Sequence, residues 1–307
     1  MYLVDTDPGL DDAHAIAMAT RAIPHDQLVV TTVAGNTGLA QVSANAGWLL
    51  GVFAPTVPLH HGAAGPILGP PVDATHIHGS DGLGGFPRST GAVVPREAHA
   101  ATAIARLARA HAGELHVIAL GPLTNIALAV ALEPDLPRLV ASLTIMGGSP
   151  ARRGNASPYA EFNIFADSVA AETVFSSMLR ITLLTWDTSL ATRFTREELA
   201  GFWSGGSAEA RLLDALGRHR AATDPRYAAS TDYGRADPLA MAVALQPDCV
   251  ATARSSPVRV VHDGGPDHGV TVVADHDDGR AGELTGRRPV RIVETFHRDL
   301  LLRALTV

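Results

Sequence analysis

The stretch Asp5-Thr6-Asp7-Pro8-Gly9-Leu10-Asp11-Asp12 constrains this chain more than any other. It places four carboxylates within eight residues, directly behind the apolar run Tyr2-Leu3-Val4. An apolar run ending in Asp-x-Asp, then Pro-Gly, then a helix-like segment predicts strand, tight turn, helix. The carboxylates then stand at the carboxyl end of the first strand, where open α/β sheets bind ligands. Carboxylates packed into one turn repel one another unless a cation neutralises them. Their oxygen-only chemistry points to a hard cation, Ca2+ or Mg2+, rather than zinc.

The same alternation continues along the chain. Apolar runs predict strands at 2–5, 28–34, 115–120, 140–146, 181–186, 258–262, 270–274 and 290–294. Helical patterns fall at 11–22, 39–53, 97–111, 123–132, 167–178, 195–203, 207–222, 237–246 and 296–305. Strands alternating with helices predict an α/β fold, with an open, mostly parallel central sheet and helices on both faces. No repeat, charge run or low-complexity linker divides the chain, so 1–307 is read as a single domain. Two long loop regions stand out, 62–95, rich in Gly, Pro and His, and 147–166, with Gly147, Gly148, Gly154 and Asn155, and structureless loops of that length are usually functional or disordered.

Composition excludes several chemistries. With 46% apolar residues the 307-residue chain has enough material for a large core. Its formal net charge of −7 makes nucleic acid and anionic membranes poor partners. All 24 basic residues are Arg and none is Lys, which removes Schiff-base mechanisms, a P-loop lysine and a kinase lysine. The lone Cys249 permits neither an intrachain disulfide nor a Cys-based zinc site. The chain enters its first strand at once, and the most apolar segment, Leu115 to Leu132, is broken by Gly121, Pro122, Thr124 and Asn125. These features predict a cytoplasmic protein without a signal peptide or membrane span.

Polar groups recur at the ends of the predicted strands: Asp5, Asp7, Asp11 and Asp12; Asn36; Gly121 to Asn125; Met146-Gly147-Gly148; and Asp187. Strand ends converge in such sheets, so these groups are expected to line one cleft. Each alone has a plainer reading, Asp11 as a helix N-terminal carboxylate and Asn125 as a cap. His60-His61 and His76-x-His78 hint at a metal but lack supporting Cys or spacing. Asp5-x-Asp7 superficially resembles the haloacid-dehalogenase phosphatase motif, yet that family needs a site lysine, and this chain has none.

A second resemblance covers most of the chain. Asp5-Thr-Asp7-Pro-Gly-Leu-Asp11-Asp12-Ala13 resembles the N-terminal signature of the inosine–uridine-preferring nucleoside hydrolase family. Thr32-Val-Ala-Gly-Asn36, His78-Gly-Ser-Asp-Gly-Leu-Gly-Gly85 and Gly121-Pro-Leu-Thr-Asn125 resemble its later turns. Met146-Gly-Gly148, Asn155 and Glu161-Phe-Asn163 resemble its sugar-binding segment, and Asp237-Pro238 the start of its last metal-binding helix.

The resemblance implies Ca2+-dependent hydrolysis of the N-glycosidic bond of ribonucleosides, a base-salvage chemistry, by a homodimer or homotetramer. It implies Asp7, Asp12, the Leu120 carbonyl and Asp237 as metal ligands, with Asp7 also the general base toward water. It implies Asp11, Asn36 and Asn163 on the 2′- and 3′-hydroxyls, with Asp237 beside the bound sugar. Asn155, Glu161 and Met146 are implied around the 5′-hydroxymethyl group. One departure stands out: the family's His or Trp before the last metal-binding Asp is Ala236 here. His78, Tyr227 and Tyr233 are the candidate proton donors to the leaving base, whereas Arg235 stays protonated and is a poor acid. Ala236 also leaves two other readings open: a catalytically weak ribose- or nucleoside-binding homologue, and a hydrolase of a modified riboside.

Overall fold

Leu3 and Val4 point to opposite faces of the first strand, and both are fully buried, which puts that strand at the centre of a layered structure. The computed structural model describes residues 1–88, 91–229, 232–233, 235–274 and 284–307. Its strands are β1 (Tyr2–Thr6), β2 (Leu28–Thr32), β3 (Leu59–His61), β4 (Leu115–Ala119), β5 (Val140–Met146), β6 (Ile181–Leu184), β7 (Phe194–Thr195), β8 (Asp232–Tyr233), β9 (Val250–Ser256), β10 (Val258–Val260), β11 (Thr271–Val273) and β12 (Val290–Phe296). Eight of them form one sheet in the order β3-β2-β1-β4-β5-β6-β12-β9. Every pairing in it is parallel except the last, β12 with β9.

This is the predicted α/β architecture, with helices on both faces. Val4, Val30 and Ile118 pack under the helices Leu10–Ala22, Leu39–Phe53, Ala236–Leu245 and Arg298–Leu305. Leu3, Val29, Val117 and Leu143 pack under Ala100–Ala110, Thr124–Leu132 and Ser168–Ser176 on the other side. Strands buried on both faces read as unbroken apolar runs, which is why Leu28–Thr32 shows no alternation. Among the described residues no helix is long and apolar enough to cross a membrane.

Several elements differ from the sequence reading. β3 and β9 were not anticipated. β3 has only three residues, and β9 (Val-Ala-Thr-Ala-Arg-Ser-Ser) is a solvent-facing edge with little apolar pattern. Residues 258–262 and 270–274 do form strands, but β10 and β11 pair with each other in a separate antiparallel ribbon. Apolar alternation reports a pleated, half-buried segment and says nothing about which sheet receives it.

The chain order fixes where a site belongs. From β1 the chain steps outward to β2 and β3, then returns to place β4 on the other side of β1. The crossovers therefore diverge between β1 and β4, and a crevice opens at the carboxyl ends of those two strands.

A close approach beside this region yields a stability prediction. Helix Leu39–Phe53 carries Gly47 and Gly51 where the 91–93 backbone crosses it, with Val93 N donating to Gly47 O at 2.8 Å. A Cβ on Gly51 would lie 1.9 Å from the Gly91 carbonyl oxygen. Gly to Ala inside a helix normally gains about 1 kcal/mol. Here Gly51→Ala is expected to destabilise by about 1–3 kcal/mol, because backbone must move. Urea unfolding of the variant checks this, and a more stable variant contradicts the packing.

Candidate active site

Asp7 is the first residue beyond β1, and two glycine backbones hold it. A Cβ on Gly35 would sit 2.1 Å from Asp7 Oδ2, and one on Gly121 would sit 2.7 Å from Asp7 Oδ1. These close approaches explain why both turns carry glycine. Asn36 N donates to Asp7 Oδ2 at 2.7 Å, and Asn36 Nδ2 donates to the Asp7 carbonyl at 3.1 Å and to Asp12 Oδ2 at 3.2 Å. Asp12 lies in the first turn of helix Leu10–Ala22, where the helix dipole favours a carboxylate. Its oxygens accept from Gly9 N at 2.9 Å and from the Thr6 hydroxyl.

Helix Ala236–Leu245 brings Asp237 to the same point. One carboxylate oxygen each from Asp11, Asp12 and Asp237 lies within 4.8 Å of the others. The sequence reading pairs Asp7 with the cation and Asp11 with sugar hydroxyls. In the structure Asp11 stands in the tight trio, and Asp7 lies alongside with one oxygen committed to Asn36 N. Burial, then the charge of Asp12, pushes the Asp7 carboxyl well above the usual carboxylate range. Burial, then Asp11, Asp12 and Asp7, does the same to Asp237, and burial with Asp11 raises Asp12. The arginine–carboxylate ion pairs of the described residues all lie elsewhere. Buried, mutually repelling carboxylates beside a carbonyl oxygen suit a hard divalent cation.

The opposite wall is built by β4, β5 and the 147–166 loop. The Leu120 carbonyl accepts from Asn163 Nδ2 at 2.7 Å, and the same amide reaches Met146 O at 3.2 Å. A carbonyl has two lone pairs, so Leu120 keeps one for a further partner. Glu161 caps the short helix Phe162–Ala166, accepting from Asn163 N at 2.9 Å, Ile164 N at 3.2 Å and Gly148 N at 2.8 Å. Burial nevertheless raises its carboxyl. Asn155 Oδ1 accepts from Phe162 N at 2.7 Å. Glu161 and Asn155 thus order the loop as well as face the cleft.

His78 comes from the 62–95 loop, which is pinned by Arg220 donating to Ile77 O at 2.6 Å and by His219 bonded to Gly84 O at 2.9 Å. Leu10 N donates to His78 Nδ1 at 3.4 Å, which places a neutral ring's proton on Nε2.

Asp7, Asp11, Asn36, His78, Leu120, Met146, Asn155, Glu161, Asn163 and Asp237 all line one cleft of about 630 Å3. Asp12 stands fully buried behind it. Three residues expected there from strand-end position do other work. Asp5 is buried in the sheet, accepts from Thr31 Oγ1 and from Asn125 Nδ2, and is pushed up to about 7 by burial. Asn125 is spent on that bond and on Thr32 O at 3.0 Å. Asp187 turns away to accept from Ser149 Oγ and Ala151 N, both at 2.9 Å, and Trp186 faces the cleft instead. His60 and His61 are held by Ala98 O and Ser43 Oγ, and belong to no metal-holding cluster among the described residues. Tyr227 lines the cleft, while the Tyr233 side chain lies outside the described residues. The sequence reading missed Phe165, Trp186 and Arg220, and it discounted Arg235, which also lines the cleft. Burial of a charge has no local sequence signal.

The raised carboxyls set a pH dependence. Unfolded, they ionise near the ordinary value of about 3.9; folded without a cation, they hold their protons to higher pH. The unfolded chain therefore has fewer bound protons once pH passes that ordinary value, and stability of chelated protein falls as pH rises. A cation needs the ionised forms, so its stabilising increment grows with pH. Thermal melts at about pH 5 and pH 8, with chelator and with Ca2+, are expected to show a wider gap at the higher pH. A gap that narrows contradicts the cluster's role.

A model of the family "Inosine-uridine preferring nucleoside hydrolase" matches residues 2–303. The non-specific ribonucleoside hydrolase RihC of Escherichia coli (strain SMS-3-5 / SECEC) is 40% identical over 197 residues, 64% of this chain and 64% of that relative's length. Among solved structures, the plant nucleoside hydrolase PpNRh1 superposes with a TM-score of 0.87 at 28% identity, covering 99% of this chain and 97% of the other. An inosine-guanosine nucleoside hydrolase superposes with a TM-score of 0.85 at 27% identity, covering 99% and 96%. The matched span takes in both arms of the carboxylate cluster, from β1 to helix Ala236–Leu245, and the chain belongs to the inosine–uridine-preferring nucleoside hydrolase family.

Proposed function

We propose that this protein hydrolyses the N-glycosidic bond of ribonucleosides, releasing free base and ribose, with Ca2+ as its cofactor. The observation that carries this reading is the convergence of four aspartates and the Asn36, Asn155, Glu161 and Asn163 side chains around one cleft. Family membership and the names of the relatives support it.

The proposed roles are those the family resemblance implies. Asp7, Asp12, Asp237 and the Leu120 carbonyl are the proposed ligands. A bound Ca2+ supplies a seat for the sugar diol and makes water a better nucleophile at neutral pH. Asp7 takes a proton from the attacking water. As the C1′–N bond breaks, its electron pair goes to the base and positive charge builds on the sugar ring. The carboxylates of Asp11, Asp12 and Asp237 stabilise that charge electrostatically. Asp11, Asn36 and Asn163 orient the 2′- and 3′-hydroxyls, while Asn155, Glu161 and Met146 close around the 5′ end. His78, in its imidazolium form, is the proposed proton donor to the departing base from the 62–95 wall, returning to the neutral ring as the base leaves.

Two tests follow. Asp7→Asn is expected to cut kcat by about 10²–10⁴-fold, because the proton acceptor and a charged ligand are both lost. Asp11→Ala should weaken ribose binding as well as turnover. Near-normal turnover by the Asp7 variant would remove Asp7 as the base. In a nucleoside panel with reducing-sugar detection, ribosides are expected to outpace 2′-deoxyribosides by more than about 10²-fold, since buried groups that read a hydroxyl are left unpaired without it. Chelation should abolish the rate and Ca2+ restore it. Equal rates on adenosine and 2′-deoxyadenosine, or indifference to chelator, contradict the reading.

A further inference from the structure

Arg235 is the residue the proposed chemistry leaves unused. It is only 8% exposed, and it lines the cleft beside Ala236 and Asp237. Its Nη2 donates to Tyr227 Oη at 3.2 Å, and its guanidinium lies 5.5 Å from the Trp203 ring centroid. Its Nε is buried with no hydrogen-bond partner, and among the described residues no carboxylate forms an ion pair with it. Arg220, on the same wall, differs: it is spent on Asp224 at 2.7 Å and on Ile77 O. A buried guanidinium held by one neutral oxygen and an aromatic face is under-compensated, and it favours an incoming acceptor or anion.

The acceptor is identified by where Arg235 stands. Sugar hydroxyls are proposed to occupy the Asp11, Asn36 and Asn163 side, which leaves the wall of Tyr227 and Arg235, joined through Arg220 and Ile77 to the 62–95 loop, for the base. Position 236 supplies only a methyl group there. Resting on the ribonucleoside hydrolase reading, we infer that Arg235, aimed by Tyr227, binds the acceptor edge of a 6-oxopurine and stabilises the negative charge that develops on it as it leaves. A guanidinium fork matches the paired N7 and O6 acceptors of hypoxanthine or guanine. Adenine places an amino donor where O6 would be, and a guanidinium has no acceptor to meet it. Arg235 gives up no proton. The C1′–N9 electron pair passes to the base, the guanidinium holds that charge, and a proton from His78 or from water then neutralises it. Charge that is largest in the transition state makes this an effect on kcat more than on KM. Tyr227 is a positioning residue.

The test uses the Ca2+-loaded full chain with inosine, adenosine and 4-nitrophenyl riboside, whose leaving group has no purine edge and needs no protonation. Wild type is expected to favour inosine over adenosine by about tenfold or more, in line with one bidentate base contact. Arg235→Gln should lower the ratio of inosine to nitrophenyl-riboside turnover by about 10²–10³-fold, mainly in kcat, and bring inosine and adenosine close together. Arg235→Lys, which keeps the charge without the fork, should fall between. Tyr227→Phe should lower the same ratio by about tenfold. Because each rate is divided by that of the nitrophenyl substrate, partial misfolding cancels, and the Lys variant gives a second reading. Proportional loss on all three substrates, or an inosine preference that survives both Arg235 variants, overturns the inference while leaving the hydrolase reading intact. A wild type that cleaves no riboside at all, the nitrophenyl one included, overturns both.

Discussion

Four carboxylates brought together, three of them out of water, are the constraint around which the rest of this protein is arranged. Asp7, Asp12 and Asp237 are all buried, and each raises the cost of ionising its neighbours. Backbone and amide donors around them, from Gly9, Asn36 and the Thr6 hydroxyl, offset part of that repulsion. They do not remove it, since all three carboxyls still stand above the ordinary range. A structure that keeps such a cluster is organised around a positive partner, and oxygen-only donors select a hard divalent one.

The fold delivers these groups by topology. The chain leaves β1 toward β2 and returns to β4, so the crevice opens where Asp7 and Leu120 end their strands. Asp11 and Asp12 follow from the turn after β1. Asp237 arrives from more than two hundred residues away because helix Ala236–Leu245 packs on the same sheet face as helix Leu10–Ala22. One wall of the cleft is braced, because Glu161, Asn163 and Asn155 are each tied to backbone. Other lining residues come from separate segments: the 62–95 loop, Trp186, Tyr227 and Arg235.

Much of this was legible in the sequence, for physical reasons. The β1 strand, its turn and its helix were readable because an apolar run, Pro-Gly and clustered carboxylates all point to one local structure. The parallel sheet was readable because its strands, buried on both faces, are continuous apolar runs. The edge strands β3 and β9 were not readable, one being too short and the other too polar. Strand-end position alone could not separate Asp187, which caps a turn, from Trp186 one residue earlier, which faces the cleft. Nor could it show Asn125 donating to the buried Asp5 and to Thr32 O instead of facing the cleft. Arg235 read as a poor acid from its chemistry; its importance as a charge rests on burial and on the lack of an ion pair with a carboxylate among the described residues, and neither is a local property of sequence.

The central claim is that the carboxylate cluster seats a cation that in turn seats the ribose diol. A crystal structure with Ca2+ and a non-hydrolysable ribonucleoside analogue tests it most directly. The account predicts one cation, with oxygens of Asp7, Asp12, Asp237 and Leu120 at about 2.3–2.6 Å and both ribose hydroxyls completing the shell. A cation held by the Asp11–Asp12–Asp237 trio with Asp7 outside the shell, or an analogue bound with its diol away from the metal, would contradict it.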